Sequence, residues 1–548
     1  MALSTSPPPS PAGPDLASFR AQLERLLSAG DHDTLVAGVM TLVEQLTAHS
    51  QKMELRLELA LRQLYRKKSE RISPEQLALF LAQLPAAQVA LAKAEPADES
   101  TPAPEPPPKP KKKRGRQPFP DHLRREVRPI SVPDDQRTCT DCGAAKTPMG
   151  HQISVVWEYK PAEFFLIEER REICVCKKCQ AGVVTAPATP KPIEGGRPGP
   201  GLLAQLVTSK YRDGLPIYRQ SQIYERSGIR LSPSTLGDWC MAAADLLEPV
   251  WKLARKDTLA CYLVSLDDTG MPVLDRDHPR GIKRGHIWTY LGDQGRTAFC
   301  DYTPDWKGEH PLAVLADFTG KVIQSDGYAG IDAHFRGPDP PRRAGCMDHL
   351  RRRFIVALEA GDNRAAIAVA LIANLYVVEA NARHAGDSLE ALHQKRQTWS
   401  RPRMNQLHQV VADLRGDVVP KSPLGKALTY AVNQWPTLTV FLDDPRVPLA
   451  NTHVERQQRR TAIGRKAYLF AGSDDAARRL AILQSFVVLC ELAKAPMFEY
   501  LRDVLAKLAA DWPQSRIAEL LPASWMDQRR KQPQGQLPPV ATVTSTAS

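Results

Sequence analysis

The chain has 548 residues and a formal net charge of +12, with a pI near 9.2. That length exceeds what a single hydrophobic core organises, so several domains are expected and burial is not limiting. The positive balance favours a polyanionic partner, nucleic acid or an acidic membrane, without specifying which. No run approaches about 18 uninterrupted apolar residues, and Met1-Ala2-Leu3-Ser4-Thr5-Ser6-Pro7 lacks the basic and apolar segments of a secretory signal. A soluble, intracellular protein with no membrane partner is the expectation. Ten cysteines in so long a chain do not make a disulfide scaffold, and their clustering points to a metal.

Residues 1–15 are rich in Pro and Ser and read as a disordered start. Across 16–93, Val39, Leu42, Leu46, Met53, Leu57, Leu61 and Leu64 recur three, four or seven apart. This is the spacing of a helical hairpin or an imperfect, dimerising coiled coil, and an ordinary helical subdomain fits equally. Over 94–120 a proline-rich stretch runs into Lys111, Lys112, Lys113 and Arg114. Too few apolar groups remain there to fold, so an extended linker is expected, with a basic half able to grip phosphates.

Residues 121–195 carry Cys139-Thr140-Asp141-Cys142 and Cys176-Lys177-Lys178-Cys179. Each pair can present two thiolates to one ion, which suits tetrahedral zinc. A four-cysteine site is closed, so that zinc is structural. Cys174 is a spare thiol able to replace Cys176. Residues 196–255 read as helical, with a candidate helix-turn-helix: a helix over 217–226, a break at Gly228, and a second helix opened by Ser232-Pro233. Its first turn offers Ser234, Thr235 and Asp238 and little positive charge, which favours a packed connector over a base-reading helix.

From 256 to 356 the pattern shortens to β-runs at 261–266, 271–274, 285–291 and 297–302, a helix over 311–318 and a strand at 322–325. Three antiparallel strands, a helix and a fourth strand predict a mixed α/β core. Asp267 and Asp326 follow two of these runs and are expected at neighbouring strand ends. Asp268 is a second candidate, and because successive strand residues face opposite ways, only one of the pair faces a shared site. Cys346 and His349 stand one helical turn apart; two ligands make a poor metal site, so they are read as structural anchors near the acids. Arg351, Arg352 and Arg353 cannot all face inward and offer phosphate contacts.

Residues 357–442 read as a helical insertion, with helices over 365–378, 387–395, 402–414 and 425–433. Over 443–510 come the last helices, where Asn451, Glu455 and Arg459 share a face at four-residue spacing, followed by Arg465 and Lys466 as further phosphate contacts. Residues 511–548 read as a C-terminal segment and disordered tail. Alone, a Glu among arginines is a solvated salt-bridge face. Converging with Asp267 and Asp326, it completes three carboxylates able to hold two magnesium (or manganese) ions about 3.5–4 Å apart, one activating the attacking oxygen and one stabilising the leaving oxygen.

These residues together resemble a DDE transposase of the insertion-sequence family numbered sixty-six. The likeness runs through Lys68-Ser69-Glu70, both cysteine knuckles, Lys210-Tyr211, Leu215-Pro216-Ile217-Tyr218-Arg219 and Ser234-Thr235-Leu236 with Trp239. It continues through Asp267-Asp268-Thr269, Ser325-Asp326-Gly327-Tyr328, Cys346 with His349, Asn451 with Glu455, Gly464-Arg465-Lys466 and Leu520-Leu521-Pro522. The resemblance implies an RNase H-like catalytic core with Asp267, Asp326 and Glu455 as its acidic triad. It implies cleavage at the ends of a mobile element by metal-activated water, then attack of the freed 3′ hydroxyl on target DNA. It also implies oligomeric assembly on DNA, small companion proteins from the same element, and work at the nucleoid in a prokaryotic cytoplasm.

The chain departs from that family pattern at three places. Asn451-Thr452 stands where two asparagines are usual, Met347-Asp348 where an aromatic and an alanine are usual, and Trp306-Lys307 where Ser then Arg is expected. Two other readings compete: a zinc-containing DNA-binding regulator without catalysis, and a nuclease that cuts without joining. If Cys139, Cys142, Cys176 and Cys179 share one ion, metal analysis of the reduced, folded protein should find about one zinc per chain; finding none would remove the zinc module.

Overall fold

The computed structural model describes residues 188–531 without a break, residues 164–171, and scattered single positions elsewhere before residue 186. Lys111, Lys112, Lys113, Arg114 and the four knuckle cysteines lie outside the described residues, as does most of the 16–93 region, whose described positions are helical. Residues 1–94 and 190–548 make one compact unit and 95–189 a second. Within the second, Ile173–Cys174 pairs antiparallel with Val184–Thr185.

Three helices lead into the sheet: α1 (Pro200–Val207), which passes into a π-helical turn at Thr208–Arg212, α2 (Ile217–Arg226) and α3 (Pro233–Leu259). The Ser232 hydroxyl accepts from the Thr235 amide at 3.0 Å and Pro233 takes the first helical position, the expected cap. The second helix of the candidate helix-turn-helix is therefore real, but it runs for 27 residues and buries Leu236, Leu247 and Val250. Its Trp251 Nε1 donates to the Cys300 carbonyl at 3.1 Å, so the helix is a packed connector.

Next come β1 (Leu263–Leu274), β2 (Ile282–Gly292), β3 (Thr297–Thr303), α4 (Glu309–Leu315), β4 (Val322–Gln324) and β5 (Arg342–Ala344). Among the described residues the main sheet has five strands in the order β3-β2-β1-β4-β5. The first three are antiparallel and the last two join parallel. Two expectations are corrected here. The runs at 261–266 and 271–274 are one strand, so Asp267 lies inside β1 and not at its end. Gly270 and Pro272 do not interrupt it: a Cβ on Gly270 would stand 2.6 Å from Arg284 Nε, so the bare backbone gives that side chain its place, and the Pro272 carbonyl accepts from the Ala471 amide at 2.9 Å. The fifth strand, Arg342-Arg343-Ala344, is too short and too charged to carry a period-two apolar signal.

One sheet face is filled by Val264, Leu266, Trp288, Tyr290, Phe299 and Ile323 against Leu259 and Leu315. Beyond β5 the chain is helical: α5 (Met347–Glu359), α6 (Ala365–Ala385), α7 (Leu389–Lys395), a π-helical turn at Arg396–Ser400, α8 (Arg401–Arg415) and α9 (Pro423–Leu438). Helix α6 is long and apolar enough to cross a membrane by length and composition, with 61% of the qualifying window buried inside the fold. Its apolar side chains join Leu350, Phe354, Leu407, Leu428 and Phe441 in a second core. Arg396, 1% exposed, clamps the insertion. Its guanidinium pairs in bidentate fashion with Glu379 at 2.7 and 2.9 Å and donates to the carbonyls of Phe441, Asp444 and Val447. Helices α10 (Thr452–Tyr468), α11 (Asp474–Ala493), α12 (Met497–Ala509) and α13 (Pro522–Lys531) follow.

A buried polar network joins sheet and helices. The Ser265 hydroxyl contacts Gln324 Oε1 at 3.2 Å and His453 Nε2 at 3.0 Å. Gln324 Nε2 donates to the carbonyls of Gly345 at 3.1 Å and Pro448 at 2.8 Å. Replacing Gln324 with Met keeps the volume and strips these partners, at about 1–3 kcal/mol for each buried group left unsatisfied. Chemical denaturation should show the variant losing more than about 1 kcal/mol; an unchanged midpoint would mean the network does not hold the fold.

Candidate active site

Strands β1 and β4 pair in parallel with Leu263 opposite Val322, Val264 opposite Ile323 and Ser265 opposite Gln324. Continuing this offset by two residues sets Asp267 against Asp326, which follows β4 in a turn. Asp326 Oδ1 accepts from the Tyr328 amide at 3.1 Å, its carbonyl accepts from the Tyr430 hydroxyl at 2.8 Å, and Gly327 between them has φ +93°. The turn needs a left-handed residue, which glycine supplies without steric cost.

Glu455 arrives on the first turn of α10. Asn451, fully buried at the N-cap, donates from Nδ2 to the Leu266 carbonyl at 2.9 Å, one residue before Asp267. Its own amide donates to Cys346 Sγ at 3.2 Å, and the Met347 amide donates to the Leu449 carbonyl at 3.1 Å. Cys346 thus ties the start of α5 to the start of α10, an anchoring position for a thiol that burial pushes up to about 12. His349, one turn into α5, puts Nε2 3.8 Å from Glu455 Oε1. The ligand atoms of Cys346, His349 and Glu455 lie within 4.8 Å of one another.

The acids feel each other. Asp267 is pushed up to about 8, first by burial and then by the charges of Asp326, Glu455 and Asp268. Glu455 Oε2 is paired with Arg352, while its Oε1 is buried without a hydrogen-bond partner. His349 is held below its ordinary value, chiefly by burial, with the arginines Arg352 and Arg353 lowering it further and Asp326 and Glu455 opposing. A buried carboxylate oxygen without a partner, such as Glu455 Oε1, with other acids near enough to raise Asp267, is a donor a hard divalent cation takes.

Asp268 faces elsewhere, as alternation along a strand requires. It contacts His286 Nδ1 and accepts from Trp306 Nε1 at 3.2 Å. Among the expected phosphate contacts, Arg459 and Lys466 are exposed and Arg351 is half-buried. Arg353 lies over the Tyr430 ring at 4.2 Å. Arg465 donates to the Gly270 carbonyl and, at 3.3 Å, to the Thr269 hydroxyl, so it braces β1. Sequence reasoning missed Ser265, Gln324 and His453. Each stands two residues before an acid, but no spacing rule marks a buried polar triad spread over three elements.

A family model described as "Transposase IS66 family" matches residues 195–479, a span that contains Asp267, Asp326 and Glu455. The chain belongs to the IS66 transposase family. Two further models match upstream: one described as "Transposase C of IS166 homeodomain" over 52–128, and the zinc-finger binding domain of transposase IS66 over 136–180. The latter span holds all four knuckle cysteines, which supports structural zinc. Among similar proteins from Sinorhizobium fredii, uncharacterized protein y4hP is 32% identical over 86% of this chain and 88% of its own length. Uncharacterized protein y4jD is 31% identical over 75% and 84%, respectively. Membership in IS66 brings with it an enzyme acting on DNA in transposition.

The raised Asp267 sets a pH dependence for this IS66 protein. A carboxyl that is ordinarily ionised above about 4 and is here held to about 8 keeps a proton in the folded state that the unfolded chain has released. Without metal, stability from this group is full below about pH 4 and is lost as pH rises towards 8. A cation must displace that proton, so the rise in melting temperature on adding magnesium should grow as pH approaches 8 and be small near pH 5. Differential scanning calorimetry of the native chain and Asp267→Asn checks this. An equal magnesium shift at both pH values, or in the variant, would separate Asp267 from metal binding.

Proposed function

We propose that this chain is a DDE transposase with an RNase H-like core, in which Asp267, Asp326 and Glu455 hold divalent metal, cut DNA at the ends of a mobile element and join those ends to target DNA. What supports this reading is that carboxylates from β1, the turn after β4 and the first turn of α10 lie near enough to interact, Asp267 being pushed up first by burial and then by the charges of Asp326 and Glu455. The strand order, three antiparallel strands extended by two parallel ones, supports the RNase H-like core.

When bound, magnesium or manganese supplies positive charge to the phosphodiester and favours ionisation of the attacking hydroxyl. The chain's own residues do the positioning. Asn451 and Cys346 fix the start of α10, so Glu455 cannot drift from Asp267. Exposed Arg459 and Lys466 on the same helix meet phosphates. In cleavage the oxygen of water forms a new bond to phosphorus and the bridging 3′ oxygen leaves as a hydroxyl. In joining, that hydroxyl attacks a target phosphodiester, exchanging one P–O bond for another, so no nucleotide cofactor is consumed. The partners in this reading are element-end and target DNA, a second copy of the chain, and small proteins of the same element.

Cleavage and joining of DNA carrying the element's ends should require magnesium or manganese. Asp267→Asn, Asp326→Asn and Glu455→Gln should each lower both steps by roughly 100-fold or more, the upper scale for disturbing a metal site, while DNA binding and folding persist. Cleavage surviving in one variant would remove that carboxylate from the triad. Metal-independent binding with no cleavage would favour the regulatory protein, and cleavage without joining would favour the nuclease.

A further inference from the structure

On the side of β1 that Asp268 faces runs a groove that the cleavage chemistry does not use. A cavity of about 580 Å³ is lined by Asp268, Thr269, Gly270, Arg284, His286, Trp306 and Arg465, and it continues along Arg284 and Arg465 past Pro272 and Ile282. Trp306 is 54% exposed, unusual for so large an aromatic ring in a position so firmly held. Its Nε1 donates to Asp268 at 3.2 Å, and its ring stacks on His286 at 6.0 Å with 16° between planes. The Tyr328 ring lies 4.8 Å away and its hydroxyl donates to the Trp306 carbonyl at 2.6 Å.

The platform is anchored to both catalytic strands. Asp268 is the residue after Asp267, and the Tyr328 amide donates to Asp326. A planar ring is therefore displayed at a fixed setting from the acids, with the exposed guanidinium of Arg284 on the same groove. Aromatic faces beside cationic groups are what an unpaired nucleobase and its phosphate require. The volume is also in the range of small-molecule sites, large enough for one nucleotide.

We propose that Trp306, held by Asp268, His286 and Tyr328, is a stacking platform for a DNA base unpaired next to the scissile phosphodiester, with Arg284 meeting its backbone. The placement relative to the cut rests on the transposase reading; the capture of an unpaired base does not. Opening a terminal pair costs a few kcal/mol, and the platform offsets part of that cost where the strand must enter the acid cluster.

The test uses the full chain with calcium in place of magnesium and a short single-stranded oligothymidylate carrying one 5-iododeoxyuridine. At high salt, where phosphate contacts are screened, Trp306→Ala should weaken binding roughly 5- to 150-fold, the range for one base on one ring. Trp306→Phe should retain most of the affinity, and photocrosslinking of the native chain should map to Trp306. In cleavage of paired element ends, Trp306→Ala should lose a similar factor and recover part of it when the base beside the cut is mismatched. If the native chain cuts nothing while affinity and crosslink still depend on Trp306, the transposase reading fails and the platform stands. Unchanged affinity in folded Trp306→Ala, or a crosslink elsewhere, would overturn the platform even in an active enzyme.

Discussion

Ser265 and Gln324, both buried, meet the half-buried His453 between sheet and helix, and the whole acid cluster hangs from that meeting. Each stands two positions before a carboxylate: Ser265 before Asp267, Gln324 before Asp326, His453 before Glu455. A parallel pair such as β1 and β4 has no tight hairpin to fix its register. The Gln324 amide does that work, because its oxygen and nitrogen have partners on β1, after β5 and before α10 only in the observed alignment. Slipping one residue would orphan several buried polar groups at once, a penalty well above that of one lost contact. Burial also holds His453 down to about 4, so it stays neutral and its contact with Ser265 does not titrate under ordinary conditions.

Asn451 and Cys346 repeat this logic at the next level. The side chain of one reaches β1 and its backbone reaches the sulfur of the other, so two helices and a strand share a corner about one turn from Glu455.

Much of this was legible in the chain itself. Asp267 and Asp326 were visible because β-branched and aliphatic runs lead into them, and Glu455 because helical spacing aligned it with Asn451 and Arg459. The insertion helices were expected close to where they stand, although the last was read from 425 and its opening at Ser422-Pro423, where the serine accepts from the Gly425 amide, was not. The rest was not local. The continuity of β1 through Gly270 and Pro272 depends on Arg284 and Ala471, which lie on other elements. The pairing of β5 with β4 depends on an arginine-rich triplet with no periodicity. The direction of Asp268 is settled by His286 and Trp306, 18 and 38 residues away. That Arg351 to Arg353 cannot all face inward was readable and Arg353 is exposed, but the pairing of Arg352 with Glu455 and the place of Arg353 over Tyr430 were not.

The Arg396 clamp bears on how such a protein can change over generations. One buried guanidinium fixes the return path of the insertion at Phe441, Asp444 and Val447, and within the insertion it is α9 that reaches the acids, through Tyr430. Loops there, including the turn between α8 and α9, can lengthen, shorten or acquire new contacts while the corner at Asn451 stays where it is. The insertion is in that sense a more tolerant module spliced into an intolerant one, seated at their boundary by the Arg396–Glu379 pair and by α9, whose Tyr430 hydroxyl donates to the Asp326 carbonyl.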